Sequence, residues 1–221
     1  MVRQDLFTLI HKGLRTLMYS IGSAMQSADF SDTGALPAFV SDISHALELL
    51  RQHGNDEDLF IFPSLLEHAP DIVAEATEQH NQLDKRISAL QATLLAVAAE
   101  PDPLRRVEQG DGLNRQLNDL LAFYLVHLCY EENTLLPVSW EVLTDDQITD
   151  IRGSIQSSMP QERYGDLLRL MLPSANNFEL VSVLTAMKAS APPPALQEVV
   201  SLATELLPPA RVTLIRERAG I

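Results

Sequence analysis

Two histidines in this chain are each followed by a glutamate four residues later. His53 precedes Glu57, and His127 precedes Glu131. This spacing places each imidazole and its carboxylate on one face of a helix, about 40° apart. Imidazole and carboxylate together suit iron, manganese or zinc, whereas calcium and magnesium prefer oxygen ligands alone. The pattern therefore predicts a metal site built from helices.

An energetic argument favours a bound cation at these residues. Ionised carboxylates in an apolar bundle interior cost several kcal/mol each unless they are paired or bind a metal. Two carboxylates from different helices, Glu57 and Glu131, could bridge two ions. In ferritin-like di-iron proteins the glutamate precedes the histidine by three residues, whereas here the histidine comes first by four. We therefore expect a two-metal site of another type.

The elements that position these groups are predicted to be helices. Apolar residues recur at helical spacing, and the alternation typical of strands is missing. The predicted helical stretches run over residues 4–28, 37–63, 70–99 and 103–137. Each stretch carries one histidine of the set His11, His53, His80 and His127. Four long helices joined by short breaks predict an all-α, up-down-up-down four-helix bundle.

Four short strings surround these histidines. They are HKGLR at 11–15, HGNDED at 53–58 leading to IFP at 61–63, EQH at 78–80 with LD at 83–84, and HLCYEE at 127–132 before LP at 136–137. In these strings the chain resembles the hemerythrin-like, HHE cation-binding family. The resemblance covers residues 1 to about 140. It implies a four-helix bundle around an oxo- or hydroxo-bridged di-iron centre.

The resemblance also implies a set of metal ligands, with its two glutamates bridging the ions. The set is His11, His53, Glu57, His80, His127 and Glu131. Hemerythrins that carry oxygen have a second histidine on the third helix, four residues from the first. Here Ala76 and Asp84 occupy those positions around His80, and Glu131 and Glu132 compete as the last carboxylate. The site is therefore more similar to those of hemerythrin-like iron sensors and should favour ferric iron.

Three classes of function stay open. The first is a non-haem di-iron protein that senses, binds or stores iron, oxygen or nitric oxide, with two iron ions as cofactor and manganese or zinc as alternatives. The second is a di-iron oxidoreductase, such as a ferroxidase or a peroxide- or nitric-oxide-consuming enzyme, which the sequence favours less than a non-catalytic role. The third is a metal-free helical interaction protein whose polar groups pair with one another.

Bulk properties restrict partners and location. A formal charge of −14 over 221 residues argues against nucleic-acid binding, which needs clustered Lys and Arg. The longest apolar stretches fall short of the roughly 20 residues that span a bilayer, so we expect no membrane segment. Residues 1–6 lack the layout of a secretory signal, and the single Cys129 cannot form an internal disulfide. These features favour the reducing cytoplasm.

The chain is predicted to have two parts. Residues 1–140 should form the metal-binding bundle, and residues 141–221 should form a C-terminal helical extension of unknown role. Thr144 and Gln147 match a capping box at the start of this extension. No histidine follows His127. We expect the extension to pack against the bundle, to bind a protein partner or to mediate self-association.

Other polar and aromatic residues in and near the strings are expected to be structural. His45 and His68 have no carboxylate four residues on, so neither is predicted as a ligand. Asp58 should belong to a solvated face. Phe62 and Tyr124 are more simply explained as bundle packing than as part of a cofactor pocket.

Overall fold

A computed structural model describes residues 3–221, and every regular element in that range is helical. The helices are α1 (Thr8–Gln26), α2 (Leu36–Asp56), α3 (Phe62–Leu65), α4 (Pro70–Ala99), α5 (Pro103–Tyr130), α6 (Leu136–Val142), α7 (Asp145–Ser158), α8 (Gln161–Ser174), α9 (Asn177–Ser190), α10 (Pro193–Leu206) and α11 (Pro209–Ala219). Two π-helical turns, Glu57–Ile61 and Glu131–Leu135, join α2 to α3 and α5 to α6. The predicted all-α fold class is confirmed.

Proline marks the start of the three long helices after α1. Pro37, Pro70 and Pro103 each lie in a first helical turn, where the missing N–H is not needed and the fixed φ already fits the helix. Asp102 adds a cap at α5, because its side chain accepts a hydrogen bond from the Leu104 N–H at 3.0 Å. The long helices therefore begin close to where the sequence predicts.

The bundle belongs to the first of two compact units, which contains the described residues up to 5 together with Leu17–Ser157. Within it α4 packs against both α2 and α5. The second half of α1 reaches α5, where the side-chain amides of Gln26 and Asn114 exchange hydrogen bonds. Short connections between these helices make neighbours antiparallel, and the predicted up-down-up-down bundle is confirmed.

Residues beyond 140 are also tied into this first unit. The Trp140 indole N–H donates to the Gln4 carbonyl at 2.6 Å, and Arg3 donates to the Leu143 carbonyl at 2.7 Å. Arg3 also pairs with Asp145 at 3.0 Å. Helices α6 and α7 therefore hold the described N-terminal residues through backbone carbonyls and one ion pair.

The second unit contains Leu6–Thr16 and Ser158–Ile221. Its helices α8 to α11 enclose an apolar core to which Leu180, Leu184 and Ile215 contribute fully buried side chains. Helix α9 opens with a capping box between Asn176 and Glu179. The predicted division of roles between residues 1–140 and 141–221 stays a prediction.

No helix among residues 3–221 combines the length and the apolar character needed to cross a bilayer.

Helix α5 passes without a break through Gly110 and Gly112. Gly110 is buried against the ring of Phe30, and a Cβ at this position would overlap the ring. The Phe30 ring cannot easily retreat, because it packs edge-on against Phe39 at 5.7 Å and its carbonyl accepts a hydrogen bond from buried Arg106. Gly110 therefore permits the segment before α2 to approach α5.

We expect Gly110→Ala to destabilise the protein. The overlap with Phe30 should cost about 1–3 kcal/mol as overpacking, against a gain of about 1 kcal/mol in helix propensity. Gly112→Ala is the matched control, because a Cβ there meets only the end of the Arg115 side chain, at 3.9 Å. Urea unfolding should rank Gly112→Ala above Gly110→Ala in stability, and equal midpoints would contradict this packing.

Candidate metal centre

Two π-helical turns begin at the two glutamates. In Glu57–Ile61 and Glu131–Leu135 the backbone bonds span five residues, since the N–H of Phe62 bonds the Glu57 carbonyl and that of Leu136 bonds the Glu131 carbonyl. A proline follows each glutamate by six residues and opens the next α-helical segment. Proline cannot donate to an α-helical ladder, so both turns occur where that ladder must be interrupted. Such turns are frequent at functional sites.

The two glutamates lie in a buried cluster with three imidazoles of the first unit. Glu57 places Oε1 at 3.3 Å from His53 Nε2 and Oε2 at 3.4 Å from His80 Nε2. Glu131 Oε1 lies 3.2 Å from His127 Nε2 and 3.5 Å from His80 Nε2. One ligand-type atom from each of Glu57, His80, His127 and Glu131 lies within 4.8 Å of the others. His80, on α4, is therefore in contact with both carboxylates.

Burial makes the charges in this cluster costly. The exposed fraction is 1% for Glu57 and 0% for Glu131. Burial and the charge of Glu57 raise the pKa of Glu131, but His127 and His80 outweigh them and hold that pKa below its usual value. Burial lowers the pKa of His80, while hydrogen bonds to Asp58, Glu131 and Glu57 raise it to about 12. The cluster therefore holds ionised carboxylates around a position that favours positive charge.

The distances in the cluster fit ligands that share metal ions. Metal bonds from imidazole nitrogen or carboxylate oxygen are about 2.0–2.2 Å long, which puts neighbouring donor atoms about 3 Å or slightly more apart. The contacts among Glu57, His80, His127 and Glu131 fall between 3.1 and 3.5 Å. The donor set contains nitrogen and oxygen and no thiolate, since Cys129 is exposed. This chemistry suits iron, manganese or zinc.

Each of the two central imidazoles has an outer hydrogen-bond partner. His80 Nδ1 lies 2.8 Å from Asp58 Oδ1, and His127 Nδ1 lies 3.0 Å from Gln79 Oε1. Asp58 is exposed to solvent, as the sequence predicts, with 40% of its side chain exposed, but its carboxylate also contacts a buried imidazole. Neither partner was identified from the sequence, and the only local signal was that Asp58 follows Glu57 directly.

Two aromatic side chains pack on these imidazoles. Phe62 stacks on His80 with ring centroids 5.1 Å apart and planes 9° apart. Tyr124 meets His127 edge-on at 5.8 Å, and its O–H donates to the Leu50 carbonyl at 2.8 Å. Both residues are buried, as the packing prediction requires. They also limit the rotation of the two rings, which the sequence did not indicate.

The alternative carboxylates near the proposed ligands, Asp84 and Glu132, are not part of the buried cluster described above. Asp84 pairs with Arg51 at 2.8 Å, and its side chain is 61% exposed. Glu131 lies in the cluster, while Glu132 is only half-buried. Ala76, one turn before His80, is completely buried.

His45 and His68 are both exposed, which agrees with their exclusion from the ligand set.

His11 lies in the part of α1 that belongs to the second unit. Its side chain is completely buried, and its ring centroid lies 5.6 Å from that of Phe7. Its role as a ligand rests on the resemblance and stays a prediction. The roles of the other five residues as ligands are predictions too, supported by the geometry above.

Comparison with known proteins adds one finding. A family model, Hemerythrin HHE cation binding domain, matches residues 3–139. This range contains all six predicted ligands, from His11 to Glu131, and ends before α7 begins. No curated protein and no solved structure matches the chain. The resemblance seen in the sequence is thereby confirmed.

We expect Glu57→Gln and Glu131→Gln to lose metal binding, because each removes a buried charge that faces two imidazoles. A metal at 100 times its Kd stabilises a protein by about 2.7 kcal/mol, and both variants should lose most of that gain. Thermal unfolding with and without added Zn²⁺ measures it. Glu132→Gln is the control for Glu131, and a loss of the zinc effect in the control instead would assign the carboxylate role to Glu132.

Proposed function

This chain belongs to the hemerythrin HHE cation-binding family, and on that premise we propose that its buried His/Glu cluster holds two non-haem iron ions. The proposed ligands are His11, His53, Glu57, His80, His127 and Glu131. Manganese and zinc are the alternative metals, because the same donor set suits them. Iron, when bound, would supply one-electron redox chemistry and affinity for oxygen or nitric oxide.

The observation that carries the proposal is the placement of the Glu57 carboxylate. Its two oxygens face two different imidazoles, His53 at 3.3 Å and His80 at 3.4 Å. A carboxylate that contributed both oxygens to one ion would need its imidazole neighbours around that same ion. Because the two oxygens of Glu57 face different imidazoles, the geometry supports a carboxylate bridge between two ions. Glu131, which faces His127 and His80, is the second proposed bridge.

The proposed role is to sense, bind or store iron, oxygen or nitric oxide. Four imidazoles and two carboxylates would hold the ions and would leave room on them for a small molecule to bind. Stable oxygen carriage is not part of the proposal. Neither residue four positions from His80 on α4, Ala76 or Asp84, is a histidine, and a set poorer in imidazole and richer in carboxylate favours ferric iron.

The proposal extends to location and partners. A cytoplasmic protein fits the single cysteine, Cys129, because a reducing compartment does not require disulfides. Residues 141–221 contain no proposed ligand, and we assign them to contact with a protein partner or a second copy of the chain. Phe178 on α9 is 66% exposed and offers one apolar side chain for such a contact.

The proposal predicts two irons per chain in natively purified protein, as in other bundles with paired carboxylate bridges. A near-ultraviolet absorption from the oxo-bridged pair should bleach with dithionite and return in air. His53→Ala should lose this iron, because it removes a buried imidazole beside Glu57. His45→Ala is the matched control, since it removes an exposed histidine from the same helix.

Each other outcome points to a different function. Equal iron content in His53→Ala and His45→Ala would remove His53 from the ligand set. Wild-type protein that holds no metal even after anaerobic loading with Fe²⁺ would favour a metal-free interaction protein. Repeated turnover of peroxide, nitric oxide or Fe²⁺ by the loaded protein would favour an oxidoreductase over a sensor or store.

A further inference from the structure

Both ring nitrogens of His80 are held by consecutive residues of one π-helical turn. Glu57 Oε2 lies 3.4 Å from Nε2, and Asp58 Oδ1 lies 2.8 Å from Nδ1. The two carboxylates thus face opposite sides of the same imidazole. The turn makes this arrangement possible, since it interrupts the α-helical ladder where the two residues lie. Glu57 belongs to the buried cluster, while the Asp58 side chain reaches the ring from a partly exposed position.

The Asp58 contact determines which ring nitrogen carries a proton. An ionised carboxylate has no hydrogen to donate, so the proton of this bond must be on His80 Nδ1. A metal ligand must be a neutral imidazole, so His80 would give up the proton on Nε2 when a metal binds and keep the one on Nδ1. His80 Nε2 is the atom that faces Glu57, Glu131 and His127. Asp58 therefore selects the form of His80 in which the inward nitrogen can bind a metal.

Two hydrogen bonds in series determine which ring nitrogen of His127 carries a proton. The Gln79 side-chain N–H donates to the Glu75 carboxylate at 2.9 Å, which can only accept. The other end of the amide, Oε1, must then face His127 Nδ1, at 3.0 Å, and accept its proton. His127 Nε2 is again left facing inward. The difference is that His127 has a neutral outer partner, whereas His80 has a charged one.

We propose that Asp58 is a positioning residue for His80, which fixes its orientation and protonation and strengthens metal binding at the proposed site. This inference rests on the proposed metal-binding function. Hydrogen bonds to a charged partner are stronger than those between neutral groups, and a carboxylate behind a ligand histidine raises its basicity. Phe62 fixes the plane of the ring by stacking, and Asp58 fixes its rotation within that plane.

The test compares the affinity of the full-length protein for Zn²⁺, measured by competition with a chelator, in four forms. Loss of such an outer partner typically weakens metal binding 10- to 100-fold, and we expect this for Asp58→Ala. Asp58→Asn keeps an oxygen that can accept from Nδ1 but loses the charge, so its affinity should be intermediate. Asp84→Asn is the matched control, because it removes one charge from a residue that pairs with Arg51. It should stay within about threefold of wild type, as expected of an exposed ion pair.

A second readout separates positioning from a merely structural role. In the Zn²⁺-loaded wild type, the proton shared by His80 Nδ1 and Asp58 should give a low-field proton NMR signal. Asp58→Ala should lose that signal, and Asp58→Asn should retain it at a shifted position. A structural role alone would lower the stability of the metal-free protein without changing zinc affinity.

The outcomes distinguish this inference from the function on which it rests. Wild-type affinity for Zn²⁺ in Asp58→Ala, or a loss no larger than in Asp84→Asn, would overturn the positioning role while leaving the metal site in place. Failure of the wild type to bind either Zn²⁺ or, under anaerobic conditions, Fe²⁺ would overturn the proposed function and, with it, the role of Asp58. If Asp58→Ala does not fold, the comparison of Asp58→Asn with Asp84→Asn decides the question, with equal affinities counting against the proposal.

Discussion

Two ionised carboxylates with almost no contact with solvent constrain the whole first unit. Glu57 and Glu131 are 1% and 0% exposed, and burial of each charge would cost several kcal/mol if nothing compensated for it. The compensation comes from imidazoles on three different helices. His80 is central to it, because it lies within 3.5 Å of both carboxylates. The packing of α4 between α2 and α5 is therefore inseparable from the charge balance of the site.

The backbone around each carboxylate follows from this constraint. Each glutamate begins a π-helical turn and is followed six residues later by a proline. The local sequences differ, yet the two halves of the cluster are built alike, with a histidine one turn before the glutamate. The third imidazole, His80, comes from α4, and its outer partner is a carboxylate, whereas that of His127 is an amide.

Helices α8 to α11 contain none of the six proposed ligands. The family match ends at residue 139, and helices α8 to α11 have an apolar core of their own. One boundary between the two units falls within α1, because Leu6–Thr16 belongs to the same unit as the C-terminal helices. Lys12 on α1 pairs with Glu179 on α9. Family membership therefore supports a function for the first part of the chain, and the family match does not extend to the C-terminal helices.

The sequence by itself determined the features that depend on neighbours along the chain. Helical periodicity and first-turn prolines located the long helices, and α4 begins and ends as predicted. The four-residue spacing of His53 from Glu57 and of His127 from Glu131 placed each pair on one helix face. Such features follow from bonds and contacts within one or two helical turns.

Only the tertiary structure decided the contacts between helices. Asp58 meets His80 across 22 positions, and Gln79 meets His127 across 48. The complete burial of Glu131, but not of Glu132, and the need for Gly110 beside Phe30 are of the same kind. Each depends on how far one helix is rotated and shifted against another, which side-chain packing over the whole interface decides. Periodicity shows which face of a helix is buried, but it does not show which residue that face meets.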